Sequence, residues 1–192
     1  MAARASRPSS LSRQTLLLGL ALAGLTVAIY WPVGGFAFLN YDDTVYVTIN
    51  PGVSGGLSAD AVRWAFTTSH GANWHPLTWL SHQLDVTLFG LDPGWHHRVN
   101  LLLHLLTTLV LFHWLARCTG RPGRSAFVAA LFSLHPLHVE SVAWVAERKD
   151  LVSALCGVLA LQAYTGYARR PCSPCTPCTW SRWPGWRSAR TS

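Results

Sequence analysis

Four stretches of the chain are candidates to cross a bilayer core, which takes roughly 20 helical residues. The first runs from Gln14 to Val33, after Arg4, Arg7 and Arg13, and ends on the interface-favouring Tyr30 and Trp31. A cleaved signal peptide is its rival, but a small-residue site at Ala21 to Ala23 would leave too short an apolar core before it. The second runs from Val99 to Ala116, before a turn with Gly120, Pro122 and Gly123. The third begins at Ser125. Its uninterrupted part, Ala126 to Leu134, is too short, so a span must continue through His135, Pro136, His138 and Glu140 to Trp144. The fourth is Leu151 to Ala168, closed by Arg169, Arg170 and Pro171.

These spans predict an all-α membrane protein of about four transmembrane helices, with residues 34–98 as a long outer loop. Apolar and aromatic residues give that loop something to bury. Ser58 is placed to cap a short helix over 58–68, with Val62, Ala65 and Phe66 on one side. A second helix is predicted over 74–89, capped by Asn73, with Pro76 in its first turn and a stripe of Leu77, Leu80, Leu84 and Leu88. Both are expected to lie along the membrane surface, with Trp79 as an anchor at headgroup level. The alternative is a soluble cap packed on the helix ends.

Composition supports the membrane assignment. Only 12% of the 192 residues are charged, against about 25% in soluble domains, and half are apolar, which excludes a disordered chain. The net charge of +7 does not indicate nucleic acid: no basic block is long enough to follow a phosphate backbone. The basic residues gather on one side of the spans, at Arg4, Arg7 and Arg13, at Arg117, Arg121 and Arg124, and at Arg169 and Arg170. That bias places residues 1–13 in the cytoplasm and loop 34–98 outside, in the periplasm if the membrane is a bacterial inner membrane.

Several residues carry candidate chemistry. Asp42 and Asp43 are adjacent carboxylates just beyond the first span. Their titrations couple near an interface, which suits a general base for a hydroxyl or a divalent-cation site; an exposed turn is the plainer reading. His135, His138 and Glu140 fall within the third span, where ionisable groups are costly and face a cavity or a partner. They are either functional or a polar knot around a Pro136 kink, and their spacing is not that of a zinc site. Glu147, Arg148, Lys149 and Asp150 form a charged link before the fourth span, suited to a lipid phosphate or simply a polar loop. His75, His82, His96, His97 and His104 are scattered: His104 is expected to bond a neighbouring helix, and His96 and His97 to be interfacial rather than ligands. There is no Gly-rich phosphate loop, Ser–His–Asp order or nucleophile elbow.

The series Asn40-Tyr41-Asp42-Asp43, Asn50-Pro51, Trp64-Ala65-Phe66 and Asn73 to Trp79 carries a resemblance. It continues through Gly94, His96, His97, Asn100 to His104, His135 to Ser141 and Trp144 to Asp150. Over about residues 28–171 this resembles the N-terminal membrane part of the transmembrane and tetratricopeptide-repeat O-mannosyltransferases, as a bacterial-type relative. The resemblance implies a glycosyltransferase of the C-type fold that moves a sugar, mannose-like, from a polyprenyl-phosphate carrier to Ser or Thr hydroxyls of exported proteins. It implies Asp42 as the base, with Asp43 orienting the acceptor or, together with Asp42, holding a divalent cation. It offers His75, His138, Glu140, Glu147, Arg148 and Lys149 as substrate-binding residues, with His138, Glu140, Arg148 and Lys149 around the donor phosphate and sugar.

The family pattern continues with more spans and helical repeats, which are absent here. Residues 172–192 change composition abruptly, to three Cys, three Trp, three Pro and three Arg. Cys172, Cys175 and Cys178 have the spacing of an iron–sulfur run without a fourth ligand. A reading frame shifted near residue 171, or a truncated gene model leaving an inactive fragment, is the expectation. Two other functions stand beside the enzyme: a non-enzymatic anchor or scaffold from a repeat protein, and an ion or proton pathway through His135, His138 and Glu140.

Overall fold

The computed structural model describes residues 10–168, with side chains from residue 13 onward. The expectations for residues 1–9, for Arg169 and Arg170, and for the cysteine-bearing tail lie outside the described residues. Within them there are helices and no strands. The chain is an all-α membrane protein with three helices long and apolar enough to span and one bent pair that spans if taken together.

Helix α1 (Ser10–Tyr30) continues into a 3-10 turn over Trp31–Gly35. Short helices α2 (Pro51–Ser54), α3 (Ala59–Thr67) and α4 (Pro76–Phe89) follow, then α5 (Pro93–Thr119), α6 (Pro122–Ser133), α7 (Leu137–Ala143) and α8 (Arg148–Ala168). Helix α5 is central and packs on α1, α6 and α8. The α1–α5–α6 seam is closed by Leu22, Phe112, Ala126 and Ala129. Small residues there allow the close approach that membrane helices need, since lipid supplies no hydrophobic drive between them.

Helix α5 begins six residues before the expected span. Asp92 caps it, accepting from the Gly94 N–H at 2.8 Å, and Pro93 occupies the first turn. Its polar opening, through His96, His97 and Asn100, is hidden by packing rather than excluded by hydropathy. The loop region therefore ends at Asp92. Gly120, left-handed at φ 65°, stops the helix.

The third span, expected to run unbroken to Trp144, is interrupted over residues 134–136, a sharper change than the Pro136 kink offered as one alternative. Helices α6 and α7 meet at 65°. The break frees the Ser133 carbonyl, which accepts from the Tyr30 hydroxyl at 3.2 Å and pairs with His104 Nε2 at 3.0 Å. Thr26 Oγ1 and Ser133 Oγ meet at 2.6 Å beside it. His104 thus bonds a neighbouring helix.

Helix α3 is capped by Ser58, which accepts from the Ala61 N–H at 3.1 Å. Helix α4 starts two residues later than expected. Asn73 does not cap it but donates to the Tyr46 hydroxyl and to the Gly71 carbonyl. Trp79 is fully buried in a cluster with Tyr46, Val47, Val53, Ala65, Val145 and Ala146, so it is a core residue and not a headgroup anchor. The polar face of α4 (Thr78, His82, Gln83 and Asp85) is buried, while Leu77, Leu84 and Leu88 are exposed. Such inversion suits a helix whose outward surroundings are apolar.

Candidate functional site

The candidate residues collect where the loop region packs on the ends of the spans. Residues 36–50 cross this end, and Asp43 fastens them. Its side chain is fully buried; Oδ2 accepts from the Leu39 N–H at 2.9 Å and Oδ1 from the Ala146 N–H at 2.8 Å. Burial pushes the Asp43 carboxyl above its usual range, the two N–H donors pull it back, and Asp42 adds a smaller push upward. Asp42, one residue earlier, is half-buried, and its carboxylate has no hydrogen-bond partner among the described residues.

The Ala146 anchor draws this segment to the start of α8. Arg148, Lys149 and Asp150 are not a link before the last span but its first turn, with Glu147 in the preceding 3-10 turn. Lys149 Nζ pairs with Glu147 Oε1 at 2.8 Å, and both remain partly exposed. Lys149 also acts electrostatically on His75, which stacks on Tyr46 at 5.7 Å and packs on Trp79 at 4.6 Å. One region therefore holds Asp43, Glu147, Lys149 and His75, with Asp42 beside them.

Arg148 points the other way, into the protein, and is fully buried. Its Nε donates to Asn100 Oδ1 at 2.7 Å, its Nη2 to the His96 carbonyl at 2.8 Å, and its Nη1 to Asp85 Oδ2. Asn100 in turn donates to the Trp144 carbonyl at 3.2 Å. This network joins α4, α5 and α8. Burial raises the Asp85 carboxyl, and Arg148 opposes that shift.

His138 and Glu140 stand apart. His138 lines a cavity of about 190 Å³ with His104, Thr107, Phe132, Ser141 and Asp150. Glu140 lies on the exposed side of α7. Neither Asp42 nor Lys149 lines that cavity.

His96 and His97, expected at the interface, are instead fully buried, and His96 gathers with His82, read as scattered, and with Asp85, which the sequence did not single out; the ligating atoms of His82, Asp85 and His96 lie within 4.8 Å of one another. They are the one group of three such residues found among the described residues. Both His82 ring nitrogens and His96 Nδ1 are buried without a hydrogen-bond partner. An unanswered buried polar group costs about 1–3 kcal/mol. The available signal was the i, i+3 spacing of His82 and Asp85 opposite the leucine stripe, a face that reads as solvated until the helix is placed against a membrane.

A pH test follows from His75. Burial, then the Lys149 charge, lowers its value. The unfolded ring takes up a proton near pH 6.5 and the folded ring only below that. Its contribution is therefore complete above about pH 6.5 and is lost as pH falls toward the lowered folded value. Because His75 is only partly buried, we expect a small loss. Unfolding midpoints of the wild type and of His75→Gln in detergent, compared from pH 7.5 down to pH 5, check it. Parallel profiles would contradict the expectation.

No protein-family model matches the chain, and no solved structure matches it. Among curated proteins, it is 35% identical over 137 residues to the mouse protein O-mannosyl-transferase TMTC1, covering 65% of this chain and 14% of the relative. It is 33% identical over 171 residues to Tmtc1 of Drosophila melanogaster, 84% of this chain and 19% of the relative. Tmtc2 of the same fly is 32% identical over 159 residues, 78% and 17%. The chain spans less than a fifth of the length of these relatives. Over most of its length it is nonetheless a homologue of the TMTC protein O-mannosyl-transferases.

Proposed function

We propose that this region forms the loop-bearing part of a membrane glycosyltransferase, which moves a mannose-like sugar from a polyprenyl-phosphate carrier to Ser or Thr hydroxyls of exported proteins. In this reading residues 36–92 face the exoplasmic side of the membrane. Asp42 is the base for the acceptor hydroxyl, and Asp43 positions it. Lys149, with Glu147 and His75 beside it, faces the carrier phosphate. Arg148 acts as a positioning residue from beneath. If a divalent cation attends the reaction, Asp42 and Asp43 are the carboxylates that would hold it. His138 serves the neighbouring cavity at the α6–α7 break, where the carrier's sugar or first isoprene units would lie, and Glu140 stands outside that cavity on the exposed side of α7.

The observation that carries the reading is the Asp43 clamp. It holds Asp42, a carboxylate with no hydrogen-bond partner among the described residues, on the segment tied to the start of α8, where an amine and an imidazole are grouped. A lipid-linked donor presents its phosphate at the membrane face, where such a group is placed to meet it. The leaving phosphate needs positive charge and the attacking hydroxyl needs a base. The relatives' printed names support a protein acceptor. The test uses membranes carrying the full-length gene product, a radiolabelled polyprenyl-phosphate mannose and a Ser/Thr-rich acceptor peptide. Donor-dependent labelling that disappears in Asp42→Asn is expected. Labelling of the peptide that is indifferent to Asp42 would remove the proposed site.

A further inference from the structure

We propose that His82, Asp85 and His96 bind one divalent transition metal of the zinc class, in a site that locks α4 to the first turn of α5. The three residues come from a helical hairpin. His82 and Asp85 lie one turn apart on α4, and His96 follows the short turn from Gly90 to Asp92. All three are buried.

The ring of His96 fixes the chemistry. Its Nε2 stands 3.1 Å from the Gly90 carbonyl, which can only accept, so Nε2 carries the proton and Nδ1 presents its lone pair. That lone pair faces Asp85 Oδ2 at 3.4 Å. Two acceptors face each other across this gap, and it is close to the ligand–ligand edge of a tetrahedral site with bonds of about 2.0–2.1 Å. A proton shared between them would serve that pair but leave His82 unanswered. Neither His82 ring nitrogen has a hydrogen-bond partner among the described residues, although both are buried. Among the described residues no hydrogen bond opposes rotation of the ring to close the wider edges of the site.

The surroundings resemble the support that metal ligands receive. The Gly90 carbonyl orients His96, and Arg148 holds Asp85 from outside the ligand set. Two imidazoles and one carboxylate favour zinc-like ions over calcium or magnesium, which require oxygen ligands. The Asp42–Asp43 pair plays no part in the site, so this inference is independent of the sugar-transfer reading.

Cobalt(II) is the probe. The full chain, without a polyhistidine tag, is purified in detergent micelles, stripped with a chelator and titrated with Co2+. The expected result is a visible ligand-field band that saturates at about one ion per chain, is displaced by Zn2+ and is unaffected by Mg2+ or Ca2+. His82→Leu is expected to weaken binding by more than the roughly 10–100-fold typical of losing an outer-shell partner. Leucine is of similar size and His82 has no hydrogen-bond partner among the described residues, so the variant is expected to keep the fold, with its circular dichroism spectrum as the control. His113→Ala, on an exposed face of α5, is expected to bind normally. Failure of the wild type to bind Co2+ stoichiometrically would overturn the site, leaving a buried water or proton network there. Equal binding by His82→Leu would overturn it too. A chain that binds cobalt but transfers no sugar would count only against the proposed function.

Discussion

Asp42→Asn is expected to lower sugar transfer by about 10²–10⁴-fold, the usual worth of a positioned general base, while leaving the chain folded. Asn has the same shape, and the Asp42 carboxylate makes no hydrogen bond among the described residues, so stability should change by no more than about 0.5 kcal/mol. Asp43→Asn separates the two adjacent acids. An amide offers one acceptor where the carboxylate offered two, and its NH2 group would face either the Leu39 or the Ala146 N–H. One donor is left unpaired, at a cost of about 1–3 kcal/mol. Asp43→Asn should therefore lower the unfolding midpoint first and lose activity as the segment loosens. Measuring transfer rate and unfolding on the same preparations distinguishes the two roles. A fully active Asp42→Asn enzyme would end the assignment of Asp42 as the base. An Asp43→Asn chain as stable as the wild type would end the assignment of Asp43 as the clamp.

Arg148→Met is expected to cost about 3–5 kcal/mol, because it strands a buried carboxylate. Asp85 would lose its counter-charge, and Asn100 Oδ1 and the His96 carbonyl would lose their donor. Methionine fills much of the volume, so the loss is electrostatic rather than a cavity effect. Arg148→Lys keeps the charge but cannot reach three acceptors in three directions, and it should fall between the wild type and Arg148→Met. Combining Arg148→Met with Asp85→Leu removes both charges and should recover part of the loss. Denaturant unfolding of the detergent-solubilised chain measures all four proteins. If Arg148→Met unfolds within about 1 kcal/mol of the wild type, the joint between α4, α5 and α8 does not depend on this network.

The candidate residues were legible to different degrees. Asp42, Asp43, Glu147 and Lys149 stand out as charges at the ends of apolar runs, and the structure groups the clamp, the ion pair and His75 at one end of the bundle. Arg148 and Lys149 are adjacent and alike in charge, yet one is buried and the other partly exposed. Neighbouring residues on a helix point about 100° apart, so the first turn of α8 sends one cation inward and the other to the surface. Whether a partner waits inward depends on α4, which no local pattern reveals. The leucine stripe of α4 was visible, but its direction was not. In water it would turn inward; here it is exposed and the polar face supplies the joint.

Hydropathy is a property of consecutive residues, so the chain itself determined that there are spans and roughly where they lie; the third read as one stretch, with a kink at Pro136 as one alternative, and the packing decided the break. Caps are local too: Ser58 was legible and sets the start of α3, while Asp92 with Pro93, equally local, went unread because the polar opening of α5 hid the helix start. Polar pairing is not local. Arg148 meets Asp85 across 63 positions and Asn100 across 48, and Asp43 meets Ala146 across 103. Only the packing of α4, α5 and α8 decided those contacts. A buried charge or donor is stable only where an opposite group is brought to it, and which group arrives depends on how the helices assemble.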